Sequence, residues 1–198
     1  MFERLRQERV GHRLDGSRIF LRPPMKSDYR QWQALRGESR AFLTPWEPSW
    51  SADELSTASF RLRMKSWQGD MQAGTAWTFF MFESASGSLA GGISVFNIRH
   101  GAAESGEIGY WSGEAFAGRG YMSEAIRLVI PFCFDLLGLR RLVAACIPDN
   151  KRSIRLLEKA GFAREGVLRS YLQINGERRD HLLFSLIAPE RGETLHGG

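Results

Sequence analysis

Gly109-Tyr110-Trp111-Ser112-Gly113-Glu114-Ala115-Phe116-Ala117-Gly118-Arg119-Gly120-Tyr121-Met122-Ser123-Glu124-Ala125 decides the reading of this chain. An apolar-aromatic strand runs into a glycine-rich turn, and a helix opens directly behind it. Gly118 and Gly120 let the backbone turn sharply and come close to a ligand. The amides of Arg119 to Ser123 then face outward at a helix N-terminus, where unpaired N–H groups and the helix dipole favour an anion. A phosphate-bearing ligand is the expectation.

Working outward, Ser17 to Arg22 reads as a first strand, stopped by Pro23-Pro24. Ser27-Asp28 is a candidate N-cap for a helix to about Glu38. Two prolines keep Thr44 to Trp50 out of regular helix, and Ser51 or Asp53 is the expected cap of a second helix to about Met71. Ala76–Glu83, Leu89–Ile98 and Glu107–Ser112 read as strands, the second with Gly91-Gly92 marking a bulge or a close backbone approach. The helix after the glycine turn carries Ile126, Val129, Ile130, Cys133, Phe134 and Leu137 at helical spacing, which is core packing. Pro131 is expected to kink it, and Gly138 to end it. Arg140–Ile147 is a strand, and Pro148-Asp149-Asn150 caps a helix to about Ala160. Tyr171–Asn175 and Arg179–Ile187 form a hairpin around Asn175-Gly176. Strands and helices mix without strict alternation. The expected fold is therefore a single α/β (α+β) domain over residues 1–198, with its core at about 17–188. The expected sheet is mixed and mostly antiparallel, with about seven strands.

Composition narrows the function by exclusion. With 198 residues, 43% hydrophobic and 25% charged, the chain is ordinary for a globular domain. No apolar run reaches the roughly 20 residues of a membrane helix. The N-terminus lacks the uninterrupted apolar run of a signal peptide, so a cytoplasmic location is expected. Two cysteines make no disulfide framework, and four histidines show no metal spacing, so no metal is expected. No G-x-S-x-G elbow, Walker loop or dinucleotide fingerprint is present. The net charge of +5 is a solvated surface or a mild attraction to an acidic partner, RNA included.

A lone Gly-x-Gly is a weak signal. It gains weight from a second block, Asn150-Lys151-Arg152-Ser153-Ile154-Arg155-Leu156-Leu157-Glu158-Lys159-Ala160-Gly161-Phe162. Together with Glu107-Ile108-Gly109-Tyr110-Trp111, the two blocks resemble the GNAT family of acetyl-CoA-dependent N-acetyltransferases over nearly the whole chain. Phe42–Pro48 and Tyr171–His181 resemble its RimJ/RimL-like branch, which acetylates N-termini of ribosomal proteins. The chain departs from the family pattern at two places. Ala115 stands where the broad family often has Gln or Arg, and Leu157 stands at its usual general-acid tyrosine.

The resemblance implies an acetyl-CoA cleft at the central strands. Tyr110, Trp111, Ser112, Ala117, Gly118, Arg119, Gly120, Tyr121, Met122, Ser123, Asn150 and Arg152 are its candidate cofactor contacts. Glu107 is the candidate base, acting directly or through water, and is otherwise a surface-strand glutamate. Ser153 is the candidate donor to the leaving sulfur, and is otherwise a local helix-start serine. Asn150 is a cofactor contact or simply a cap. Trp46, Glu47, Trp50 and Tyr171 are the candidate acceptor cleft. Direct transfer disfavours a nucleophilic Cys146. No chemical role is argued for Asp180 and His181, although they match the branch motif.

An unperturbed α-amino group has a pKa of about 8 against about 10.4 for lysine, so an N-terminal amine needs only modest help to lose its proton. Three functions stand side by side. The first is acetylation of a protein N-terminus, the N-terminal alanine of a small-subunit ribosomal protein foremost. The second is acetylation of a small amine or antibiotic. The third is a ribosome- or RNA-associated assembly factor contacting RNA through the basic arm Arg4, Arg6 and Arg9. Monomer and homodimer are both open.

Overall fold

The computed structural model describes residues 13–190. Arg4, Arg6, Arg9 and the tail beyond residue 190 lie outside the described residues. Eight strands form one sheet in the order β1-β2-β3-β4-β5-β6-β8-β7, one more than the sequence pattern predicts. They are β1 (Leu14–Asp15), β2 (Ile19–Arg22), β3 (Trp77–Glu83), β4 (Leu89–Arg99), β5 (Ser105–Ser112), β6 (Arg141–Cys146), β7 (Ala163–Ile174) and β8 (Glu177–Ile187). The additional strand is β1, which pairs with β2 through only two residues, too short to show a period in sequence. All neighbours are antiparallel except β5 and β6.

Alternation along β3 builds the two faces. Trp77, Phe79 and Met81 enter one core with Ala125, Ile126, Val129, Cys133 and Leu157. Phe80 and Phe82 enter the other with Trp32, Leu35, Phe60 and Met64. The helices α1 (Tyr29–Glu38) and α3 (Thr57–Ala73) cover the second face; α4 (Tyr121–Pro131) and α5 (Lys151–Lys159) cover the first. A short α2 (Arg40–Leu43) follows α1.

Local details qualify the expected caps, the break at Pro131 and the hairpin's bounds. Asp28 precedes α1, but its carboxylate is taken by Arg22 at 2.6 and 2.8 Å and by the Met25 amide at 2.7 Å, so it does not cap by side chain. Neither Ser51 nor Asp53 starts α3. They bond each other at 2.7 Å within a turn, and Ser56 caps instead, accepting from the Ser59 amide. At Pro131 the α-helix gives way to a π turn over Phe132–Leu136, because proline supplies no N–H to continue the ladder. The hairpin turns at Asn175-Gly176 as expected, both at positive φ, but β7 begins eight residues before Tyr171, at Ala163.

Candidate active site

β5 and β6 pair through three residues only, Ser105 with Arg141, Gly106 with Leu142 and Glu107 with Val143. Beyond Glu107, β5 follows β4 as far as Ser112, while β6 follows β8 as far as Cys146. The sheet therefore opens into a wedge with Glu107 at its apex. In an antiparallel pair alternate residues turn their N–H and C=O away from the partner strand. Along Ile108–Ser112 those groups face the wedge, and no strand pairs with them there among the described residues. Backbone groups of this kind need partners, and an extended amide-bearing arm would supply them as an added strand does.

The glycine turn lies at the end of β5. A single 3-10 turn (Glu114–Phe116) leads to Ala117, which is extended, and Gly118 and Gly120 adopt φ of 77° and 79°. Gly120 is the N-cap of α4. A Cβ on Gly118 would meet open space, so its glycine answers to the backbone angle and not to crowding. Around the turn, Arg119 lies 3.8 Å from Glu83 and stacks over Phe116, leaving its side chain about half exposed. Tyr121 donates to Glu83 at 2.5 Å. Tyr121 and Met122 rest partly buried on the core, and the Ser123 hydroxyl accepts from Arg127 at 3.1 Å.

Across the wedge, Asn150 caps α5 by accepting from the Ser153 amide at 3.1 Å. That bond fixes Ser153 in the first helical turn, buried, with its hydroxyl 2.7 Å from the Tyr110 phenol. Burial pushes the phenol well above its ordinary range, against the opposing hydrogen bond with Ser153. Cys146 lies at the same place. Burial raises its thiol, with the Ser153 hydroxyl opposing, so the thiolate needed for nucleophilic attack is disfavoured. Arg152 leaves the α5 start exposed and stacks over Phe42 of α2 at 5.2 Å.

Tyr110 and Trp111 point to opposite faces of β5, one to each core. On the second face Glu107 borders a hollow with Phe96 and Asn97, while Gly109 and Trp111, on the same face of β5, line a neighbouring cleft of about 610 Å³. Its floor includes Thr78, Phe80, Ser94, Phe96 and Gly109; Trp32, Arg36, Glu47, Trp50 and Trp67 stand around it. The Glu47 carboxylate is engaged, by Arg36 at 2.6 Å and by Trp50 Nε1 at 2.8 Å. The Arg36 guanidinium stacks over Trp50 at 4.5 Å and Trp111 at 5.0 Å. The segment is anchored on the hairpin, because the Asn175 amide donates to the Glu47 carbonyl at 2.9 Å.

The structure thus brings Glu47 and Trp50 into the cleft but not the other two acceptor candidates. Trp46 stands 38% exposed on a 3-10 turn, and Tyr171 packs edge-on against buried His181 at 5.5 Å. His181 and Asp180 serve the hairpin, with Nδ1 on the Arg179 carbonyl and Asp180 accepting from the Ser170 amide. The Trp111 ring belongs to the cleft floor, while its backbone borders the wedge. Ser112 donates locally to the Gly113 carbonyl. Glu107 accepts from Asn97 Nδ2 at 3.0 Å. Sequence reasoning missed Trp32, Arg36 and Trp67, which belong to no motif.

A family model described as an acetyltransferase (GNAT) domain matches residues 18–163. The Bacillus subtilis (strain 168) protein "Probable N-acetyltransferase YjcK" is 33% identical over 177 residues, covering 89% of this chain and 98% of that protein. The [Ribosomal protein uS5]-alanine N-acetyltransferase of Escherichia coli (strain K12) is 30% identical over 178 residues, 90% of this chain and 92% of that protein. Among solved structures, Mycobacterium smegmatis RimJ in complex with CoA-disulfide superposes with a TM-score of 0.83 at 30% identity, covering 89% of this chain and 85% of that one.

Proposed function

The chain belongs to the GNAT acetyltransferases, and from that premise we propose that it transfers acetyl from acetyl-CoA to the N-terminal α-amino group of a protein, foremost the N-terminal alanine of a small-subunit ribosomal protein. One observation carries this reading. The wedge between β5 and β6 starts at Glu107; Gly109, Tyr110 and Trp111 along its β5 edge line the aromatic cleft, and the Gly118–Gly120 turn follows that strand. The donor and acceptor sites of a direct transfer would meet in this way.

The outward amides from Gly118 to Ser123 hold the pyrophosphate, with Arg119 beside them. Tyr110, Trp111, Ser112 and Ala117 border the arm through their backbone, and Asn150 and Arg152 meet it from α5. Acetyl-CoA supplies a thioester whose carbonyl is open to attack. Glu107 takes a proton from the incoming ammonium, directly or through water. Unpaired backbone amides of β5 polarise the carbonyl, as oxyanion donors do. Ser153 donates to the departing sulfur in place of the tyrosine that Leu157 replaces; Leu157 is fully buried core. Glu47, paired with Arg36 and Trp50, presents a carboxylate edge to the ammonium.

The acceptor class is supported by the likeness to the uS5-alanine enzyme. The test is a panel of peptides beginning with Ala, Ser or Met beside small amines, read by mass spectrometry with acetyl-CoA. Acetylation of the Ala peptides at the α-amine is the expected result. Turnover of small amines alone overturns the acceptor assignment and leaves the donor site standing.

A further inference from the structure

The turn between β1 and β2 lies beneath the glycine loop, more than a hundred residues away in sequence. Glu124, in the first turn of α4 and buried, faces it. One carboxylate oxygen accepts from the Arg18 amide at 2.9 Å and the Ser17 hydroxyl at 3.1 Å; the other accepts from Arg18 Nε at 3.1 Å. The fit is close. A Cβ on Gly16 would stand 2.4 Å from the same carboxylate. Held there, the Arg18 guanidinium donates from Nη1 to the Arg119 carbonyl at 2.9 Å. A Cβ on Gly120 would lie 3.1 Å from its other terminal nitrogen.

This bond has a directional consequence. In a trans peptide the C=O of one residue and the N–H of the next point in opposite directions. An arginine that grips the Arg119 carbonyl from behind therefore turns the Gly120 N–H outward, into the anion cradle. The plane of this peptide turns about ψ of Arg119 and φ of Gly120, and a residue without a Cβ does little to fix it, so the direction is set from outside the loop.

We propose that Arg18, seated on Glu124, is a positioning residue for the donor's pyrophosphate: it sets the orientation of the Arg119–Gly120 peptide and thereby the amide that binds phosphate. This rests on the acetyl-CoA reading above. The role needs the arginine fork, since Nε serves Glu124 while Nη1 serves the carbonyl; a lysine keeps the charge but offers a single nitrogen. Positioning therefore separates from simple charge attraction. Arg18 is half exposed, so replacing it leaves the core intact.

The experiment compares the full chain with Arg18→Lys and Arg18→Met on two donors, acetyl-CoA and S-acetylpantetheine, which has no pyrophosphate. Both variants are expected to raise KM for acetyl-CoA about tenfold, the size of one charge-assisted hydrogen bond, with kcat little changed. Both should match the unmodified chain on S-acetylpantetheine. Three results overturn the proposal: acetyl-CoA KM values unchanged in both variants, full rescue by lysine, or an equal loss on both donors. An unmodified chain that uses neither donor sinks the acetyl-CoA reading itself, and this inference with it.

Discussion

The phenol oxygen of Tyr110 and the hydroxyl of Ser153 stand 2.7 Å apart, although 43 residues separate them in the chain. Burial keeps the phenol protonated, so it has a hydrogen to give, and either hydroxyl can donate to the other. When the phenol donates to Ser153, the serine keeps its own proton for an acceptor in the wedge. The Asn150 cap holds Ser153 from the backbone side at the same time. In the proposed mechanism a serine on α5, its hydrogen aimed by a tyrosine on β5, takes the place of a single acidic tyrosine.

Tyr110→Phe is accordingly expected to lower kcat about tenfold, the worth of a buried hydrogen bond, with the acetyl-CoA KM little moved. Ser153→Ala should cost more. The double variant should be no slower than Ser153→Ala alone, because groups that act in series are not additive. Steady-state kinetics on the four proteins closes this cycle. Full additivity would mean that the two hydroxyls act independently.

Glu107 gives a prediction in pH. It sits at the apex of the wedge on the cleft face, its carboxylate accepting from Asn97. Glu107→Gln keeps the shape and removes the base. At pH 7 an α-ammonium must lose its proton, so kcat/KM with an Ala-peptide should fall roughly a hundredfold. At about pH 9 the amine, whose unperturbed pKa is about 8, is already neutral, and the deficit should shrink. A deficit of constant size from about pH 6 to 9 assigns Glu107 a structural role.

How much of this is legible in the sequence divides by distance along the chain. Gly118 and Gly120, Asn150 as a cap and the Asn175-Gly176 turn are readable, because each is a local demand of backbone angle or an orphan amide. The wedge is not, since it depends on where pairing between β5 and β6 stops, and no residue type marks the end of a ladder. Arg18 on Glu124 and Tyr110 on Ser153 are tertiary pairs without periodicity. Arg36 carries no signal in the sequence, yet it is buried against aromatic rings on a cleft wall. The glycine-turn motif groups Trp111 with the candidate cofactor contacts; alternation along β5 sends its ring to the cleft.

Glu124 predicts an acid limit to stability. Burial alone would raise its carboxyl, but the hydrogen bonds from Arg18 and Ser17 outweigh burial and hold it below the usual 4.5. The unfolded chain then binds the proton more tightly than the folded one. The contribution is fully present above about pH 4.5 and is lost as pH falls through the folded value. In urea unfolding, Glu124→Gln should be clearly less stable than the parent at pH 7, and the gap should narrow towards about pH 3. A gap that does not change with pH would contradict the pairing.

The cleft floor predicts a steric limit. Gly92 on β4 lies opposite Trp111 on β5, and a Cβ there would stand 2.7 Å from the indole Nε1 and 3.1 Å from the Phe79 carbonyl. The absence of a side chain lets the indole lie flat across β4, under the Arg36 guanidinium. Gly92→Ala must push the ring or the strand aside, and overpacking of this kind costs roughly 1–3 kcal/mol. A displaced ring encroaches on the cleft that Trp111 lines, so under the proposed function the peptide acceptor should lose affinity while the donor keeps its own. Thermal unfolding gives the first effect, and the ratio of the two KM values gives the second. Equal losses for donor and acceptor would place the damage in the sheet as a whole, not in the cleft.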